Sequence, residues 1–356
     1  MKIGILTHHY VANFGAFLQA YCLREAVHTL LPDADARVID AVNRKHFLIN
    51  AAGTLRFHPK TQSFKAWRES ARMTFTFAKA RKRDLVTTKR VRSAEDINAL
   101  GLDDIIVGSD EVFHYQDKKS FLPMKFGVGL TGARLIAYAP SVGGSTDFDR
   151  MPESLKEGLR SFSALSARDD NAERMMRSVT GKPVARVLDP VFLHHLPDCR
   201  TDRIKRLTEK PYVLFYHLGV MPQNAANIRE QFHDQGLRVL GAGEYHTLYD
   251  EVSVDLTPFE MAQMFRSAAY VLTGTFHGVV LSLVNERPFS VCPNNETRAK
   301  KLASLLGEFG LTDRLTAKET FDWVQETRRP LDYAAVAPIM EKKRADSLSY
   351  LRESLT

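Results

Sequence analysis

Tyr270-Val271-Leu272-Thr273-Gly274-Thr275-Phe276-His277-Gly278-Val279-Val280-Leu281-Ser282-Leu283-Val284-Asn285 decides the fold. A β-rich run over 270–273 meets a glycine-bounded turn, and an apolar helical segment over 279–285 follows at once. Strand, tight turn and helix in that order make half of a βαβ unit, in which the helix crosses over to a parallel neighbouring strand. The same alternation recurs on both sides. β-rich runs stand at 2–6, 37–41, 105–107, 134–138, 164–167 and 186–188, and again at 212–216, 238–241 and 289–292. Between them, Leu18, Cys22, Ala26 and Leu30 form one helical stripe, and Leu155, Leu159 and Phe162 another. Further helices are expected over 225–234, 259–267 and 296–308, with a long C-terminal one over 333–351.

This alternation predicts an α/β protein of two doubly wound, Rossmann-like domains. The chain has 356 residues, a length that suits two domains of ordinary size. The pattern pauses at the polar stretch Leu196-Pro197-Asp198-Cys199-Arg200-Thr201-Asp202-Arg203. We therefore expect an N-terminal domain over 1–195, a linker over 196–210, and a C-terminal domain with the terminal helix over 211–356. Hydrophobic residues at 44% and charged residues at 26% exclude a disordered or collagen-like chain. The apolar run 278–284 is far shorter than the ~20 residues of a membrane-spanning helix. The first residues carry no secretory-signal pattern, and Cys22, Cys199 and Cys292 show no Cys-x-x-Cys spacing. A cytoplasmic protein with free thiols is the expectation.

The formal charge of +7 is not evenly spread. Residues 60–92 hold eleven lysines and arginines, beginning at Lys60, against Glu69 and Asp84, a net +9 that leaves −2 for the rest. Within this segment Phe64, Trp67, Ala71, Phe75 and Ala78 recur at three- and four-residue steps, on one face of a helix with cations around the other. Three readings stand: a helix packed on the protein with a solvated basic face, a peripheral contact with an anionic membrane, or a helix that binds the acceptor or another subunit. No helix-turn-helix, zinc-finger or RNA-recognition signature accompanies the charge, so nucleic acid is not the expected partner.

Ligands of open α/β sheets bind beyond the carboxyl ends of strands, so polar residues just after strands are the candidates. The first such exit is Thr7-His8-His9-Tyr10-Val11-Ala12-Asn13-Phe14-Gly15-Ala16, where Asn13 suits a helix cap and Gly15 permits close approach of a ligand. The second is Gly108-Ser109-Asp110-Glu111, in which Asp110 is placed to take a proton from a hydroxyl, or to cap a loop. The third, Ala139-Pro140-Ser141-Val142-Gly143-Gly144, offers Ser141. After 164–167 comes Arg168, whose planar fork suits a carboxylate or phosphate, or a neighbouring Asp169 or Asp170. In the second half Thr275, His277 and Gly278 lie at a strand-to-helix turn suited to an anion, and Arg298, Lys300 and Lys301 follow downstream. The pairs His8-His9 and His194-His195 lack a third ligand at metal spacing, and no Gly-x-Gly-x-x-Gly or P-loop sequence is present.

Taken in order, Asn13-Phe14-Gly15-Ala16-Phe17-Leu18-Gln19-Ala20, Gly108-Ser109-Asp110, Tyr138-Ala139-Pro140-Ser141, Ser166-Ala167-Arg168-Asp169, Leu188-Asp189-Pro190 and Thr275-Phe276-His277-Gly278 with Arg298 resemble the polysaccharide pyruvyl transferase family. The resemblance implies a GT-B-like pair of domains with the site in an interdomain cleft, where Asn13, Ser109, Asp110 and Arg168 would face Thr275 and His277. It implies transfer of pyruvate from phosphoenolpyruvate to a saccharide, as a cyclic ketal, in exopolysaccharide and cell-envelope synthesis. The acceptor would be a polysaccharide sugar or its lipid-linked precursor. Two positions depart from the family pattern: Phe113 stands where many members carry Trp, and Thr275 where one branch has Arg. If that Arg binds the donor, this chain must use another cation.

Phosphoenolpyruvate carries a phosphate and a carboxylate, which Arg168, Arg298 and the turn at His277 would suit. His277 would bind the donor anion or act as acid, Asp110 would accept a hydroxyl proton, and the two roles are exchangeable. Asn13, Gly15, Ser109, Ser141, Thr275 and Gly278 complete the expected binding set. No redox cofactor or metal is implied. The rival readings are a GT-B-like glycosyltransferase using a nucleotide sugar, separable by its binding of a nucleoside diphosphate, and a non-catalytic carbohydrate-binding protein.

Overall fold

The computed structural model describes residues 1–57, 63–145 and 147–356. Lys60, where the basic segment was expected to begin, lies outside them. The chain divides into two compact units: residues 1–51, 78–195 and 341–356 form unit 1, and residues 52–77 and 196–340 form unit 2. The expected ranges 1–195 and 211–356 differ from these units at 52–77 and at 341–356. Within the expected linker, Asp202–Leu207 is a short helix capped by Thr201, whose side chain accepts the Ile204 N–H.

Unit 1 carries six parallel strands: β1 (Lys2–Leu6), β2 (Asp35–Val38), β3 (Asp104–Val107), β4 (Arg134–Ala137), β5 (Ala164–Ala167) and β6 (Ala185–Arg186). Their spatial order is β2-β1-β3-β4-β5-β6. The expected strand at 37–41 is shifted, because only Asp35–Val38 pairs with β1, and Ala41 makes an isolated bridge to Val91. Likewise 186–188 is replaced by Ala185–Arg186. The central strands β1, β3 and β4 are mostly apolar and buried because helices cover both faces of a parallel sheet. Alternation then sends Ile105 and Val107 to one core, with Phe113, Phe126, Leu155, Leu159 and Phe162. It sends Ile106 and Ile136 to the other, with Leu23, Ala26 and Val27 of helix Phe14–Leu30. The end of the C-terminal helix Tyr333–Leu355 seals that second core through Leu351 and Leu355.

Unit 2 carries β7 (Tyr212–Tyr216), β8 (Arg238–Gly241), β9 (Tyr270–Thr273) and β10 (Phe289–Val291), parallel and ordered β10-β9-β7-β8. Val213, Phe215, Val239 and Leu272 pack with Phe232 in its core.

The basic helix forms over Phe64–Asp84, but its apolar stripe is not the face that packs. Ala66, Met73, Phe77 and Ala80 are buried, whereas Phe64 and Phe75 are 66% and 70% exposed. The helix has two apolar stripes, and the one of smaller residues is covered. Glu69 lies on the covered side, where its Oε2 accepts the Val254 N–H at 2.9 Å.

Candidate functional site

In unit 1 the strand order reverses between β1 and β3, so the chains leaving these strands part and open a crevice at their carboxyl ends. Thr7, His8 and His9 leave β1 there, and Gly108, Ser109 and Asp110 leave β3. Gln19, on the first helix, ties the two exits together. Its amide donates to Thr7 Oγ1 (2.9 Å) and the His8 carbonyl (3.0 Å), and its oxygen accepts the Ser109 N–H (3.1 Å).

Arg168, at the end of β5, organises the acids of this crevice. Its Nη1 donates to Asp189 Oδ2 at 2.6 Å and its Nη2 to Asp110 Oδ1 at 3.1 Å, while Ser109 Oγ lies 3.3 Å from Nη1. Arg168 and Asp189 are buried, and the Asp110 side chain keeps 19% of its surface exposed. Burial opposes the guanidinium charge, yet Asp189 and Asp110 more than offset it and raise the Arg168 pKa. The partners are therefore Asp189 and Asp110, not Asp169 or Asp170. Asp169 caps helix Asp170–Thr180 through the Ala172 N–H, and Asp170 pairs with Arg186 at 3.0 Å. Asp110 has a backbone φ of +73°, an uncommon conformation for a residue other than glycine that turns the chain sharply out of the strand.

The histidines after β1 are buried, not at the surface. His9 Nε2 lies 3.2 Å from Asp40 Oδ1. His8 meets Lys125, whose amine stands 3.1 and 3.3 Å from the two ring nitrogens. Burial, then the Lys125 charge, lowers the His8 pKa to about 3. Burial draws the Lys125 amine from its usual 10.5 to about 7, against the pull of Asp110 and Asp117. A lysine whose charge changes near neutral pH beside a partly exposed carboxylate is a functional-site signature. The only mark of Lys125 in the sequence is its place within the apolar run Phe121-Leu122-Pro123-Met124-Lys125-Phe126.

Asn13 caps the first helix, its Oδ1 accepting the Ala16 N–H at 3.0 Å, and Gly15 is buried in the first turn. Ser141 is buried, and its N–H donates to the Asp110 carbonyl at 2.8 Å.

Unit 2 reverses its strand order between β7 and β9, which places the exits after Tyr216 and Thr273 at its own crevice. Thr275 caps helix Phe276–Val284 by accepting the Gly278 N–H at 3.1 Å, and His277 is half-buried in the first turn. Gly278 is required here, since a Cβ would lie 2.0 Å from Thr273 Oγ1. Arg298 is exposed in the first turn of helix Glu296–Gly307. Sequence reading missed His217, which follows β7 with φ +46° and pairs with Glu244 (Nδ1 to Oε2, 3.0 Å). Burial of Glu244 opposes its charge, but the hydrogen bonds from His217 and Tyr249 hold its carboxyl below the usual range. Among the described residues, no group of three or more His, Cys, Asp or Glu side chains is placed to hold a metal ion.

Ser109, Asp110, Ser141 and Arg168 are thus brought together in unit 1, with Asn13 and Gly15 at the nearby helix start. Thr275, His277 and Gly278 share one turn in unit 2, with Arg298 on a separate helix. Two Rossmann-like units, each with polar strand exits at its switch point, define a GT-B-like α/β protein. Arabidopsis thaliana UGT89C1 shares this fold, with a TM-score of 0.52 at 10% identity over 99% of this chain and 98% of that one. A putative UDP-N-acetylglucosamine 2-epimerase from Listeria monocytogenes gives a TM-score of 0.50 at 9% identity, covering 99% of this chain and 94% of the other. No curated protein matches the sequence. The family model "Polysaccharide pyruvyl transferase" matches residues 13–296, and the chain belongs to that family.

Proposed function

We propose that the protein transfers pyruvate from phosphoenolpyruvate to two hydroxyls of one sugar, forming a cyclic ketal in exopolysaccharide and cell-envelope synthesis. The acceptor is a polysaccharide sugar or its lipid-linked precursor, and the protein works on the cytoplasmic side of the membrane. One observation carries the reading: the family match over 13–296 includes both the Asp110 cluster and the His277 turn.

In this reaction the donor methylene gains a proton, C2 becomes electron-poor and accepts two hydroxyl oxygens, the hydroxyls lose their protons, and inorganic phosphate departs. Asp110, paired with Arg168 and open to solvent on one side, suits the base that receives a hydroxyl proton. His277, in the first turn of a helix where backbone N–H groups and the dipole favour anions, suits the donor's phosphate or carboxylate, or the proton delivered to carbon. Arg298 supplies an exposed cation for the donor, in place of the Arg that one branch of the family carries at the position of Thr275. Arg168, with its fork directed to two carboxylates, acts as a positioning residue for Asp110. Ser109, Ser141, Thr275 and Gly278 shape the turns, and Asn13 and Gly15 set the start of the first helix.

The test incubates the protein with phosphoenolpyruvate and saccharide acceptors, free and lipid-linked, and follows phosphate release together with the mass of the acceptor. Phosphate release matched by one pyruvyl ketal per acceptor supports the proposal. Transfer from a nucleotide sugar, with phosphoenolpyruvate left intact, would replace it with a glycosyltransferase.

A further inference from the structure

Nine large hydrophobic residues are exposed among those described, and six of them, Leu48, Ile49, Leu55, Phe57, Phe64 and Phe75, fall between positions 48 and 75. Such clustering marks an interaction surface, whereas scattered exposed hydrophobics need no explanation. Four of the six gather around Trp67 or lie on its helix. The Trp67 ring centroid lies 5.5 Å from that of Phe64 and 5.8 Å from that of Phe57, its Nε1 donates to the Leu55 carbonyl at 3.0 Å, and Phe75 continues the row.

Helix geometry makes this face independent of the packed one. At about 100° per residue, Phe64 and Phe75 point within roughly 20° of each other and about opposite to Met73. The packed stripe, Ala66, Met73, Phe77 and Ala80, already secures the helix, so the aromatic row is not needed for folding. Lys65, Arg68, Lys79 and Lys82 are exposed beside or within that row. Other cations of the segment serve the protein itself: Arg72 pairs with Asp255, Arg83 with Asp84, and Arg81 donates to the Tyr10 carbonyl.

We propose that this face docks on an anionic lipid bilayer. The rings of Phe57, Phe64, Trp67 and Phe75 enter the boundary between headgroups and acyl chains, and the cations lie at the level of the lipid phosphates. Charge selects the partner. A second copy of the chain would set one basic face against another, whereas an anionic surface complements it. The inference does not depend on the reaction proposed above, and its test needs no turnover.

The test is co-sedimentation of the full chain with vesicles, either phosphatidylcholine alone or phosphatidylcholine with phosphatidylglycerol. We expect binding to the anionic vesicles, weak binding to the neutral ones, and loss of binding as salt rises. Lys79→Gln with Lys82→Gln should weaken partitioning on the order of 30-fold, from the usual contribution of each surface cation. Phe64→Ser with Phe75→Ser should abolish most binding while circular dichroism and melting stay as in wild type, since both side chains are exposed. No binding of wild type to anionic vesicles at low salt overturns the proposal. So does binding that survives the double Phe substitution, or a vesicle-free dimer that this substitution dissociates.

Discussion

Replacing Arg168 with Met keeps the length of the side chain and removes the charge that two carboxylates share. The Asp189 arm dominates the cost, because that bond is 2.6 Å long and both partners are buried, the Asp189 side chain with no exposed surface. The Asp110 arm is discounted for its 19% exposure and the screening that follows. Removing one partner of a buried pair leaves an uncompensated charge and costs about 3–5 kcal/mol. For a unit of this size each kcal/mol shifts the melting temperature by roughly 2–4 °C, so a fall of about 6–20 °C is expected. Urea denaturation and calorimetry of Arg168→Met measure it. Asp189→Asn in the same chain should recover part of the loss, because the new amide carries no charge and its oxygen can still accept the Val191 N–H that Asp189 Oδ1 accepts at 3.1 Å. Phosphate release from phosphoenolpyruvate should fall in both variants, since Asp110 loses its orienting partner. A single variant within about 1 kcal/mol of wild type would refute the account of Arg168 as the centre of a buried ion network.

His277→Ala should lower turnover by about 10²–10⁴ with the melting temperature preserved, because the ring is half-buried and lies outside the core; early melting would show a structural role instead. Lys125 has a folded pKa of about 7 against its usual 10.5, so its burial penalises stability fully below pH 7 and the penalty lifts as pH rises toward 10.5. Wild-type stability should therefore gain a component over that window, and Lys125→Met should flatten it; a parallel pH profile for the two proteins would contradict the burial of the charge. Gly274→Ala would place a Cβ 2.5 Å from the Cys292 carbonyl oxygen and 2.7 Å from that of His217, so a loss of about 1–3 kcal/mol with impaired turnover is expected in denaturation and phosphate-release assays.

Much of the fold was legible because its signals are local. A β-rich run, a glycine turn and a helical segment are written within the 16 residues from Tyr270 to Asn285, and β1, β5, β7, β8 and β9 stand where such signals place them. The polar strand exits follow from the same alternation, so Asp110, Arg168, Thr275 and His277 could be named as candidates without coordinates. The partners could not. Arg168 joins Asp189 and Asp110 across 21 and 58 positions of the chain, and Lys125 meets His8 across 117, distances over which no periodicity carries information. The sequence likewise showed that Phe64 and Phe75 share a face but not which face is covered. Apolar stripes on opposite sides of a helix are equivalent until neighbouring elements choose one, and here packing took Ala66, Met73 and Phe77 and left the aromatic row outside. Local pattern thus determined the strands, helices and candidate side chains of this protein. Only the tertiary structure decided which charges neutralise one another and which apolar surface meets solvent, because both depend on contacts between segments remote in sequence.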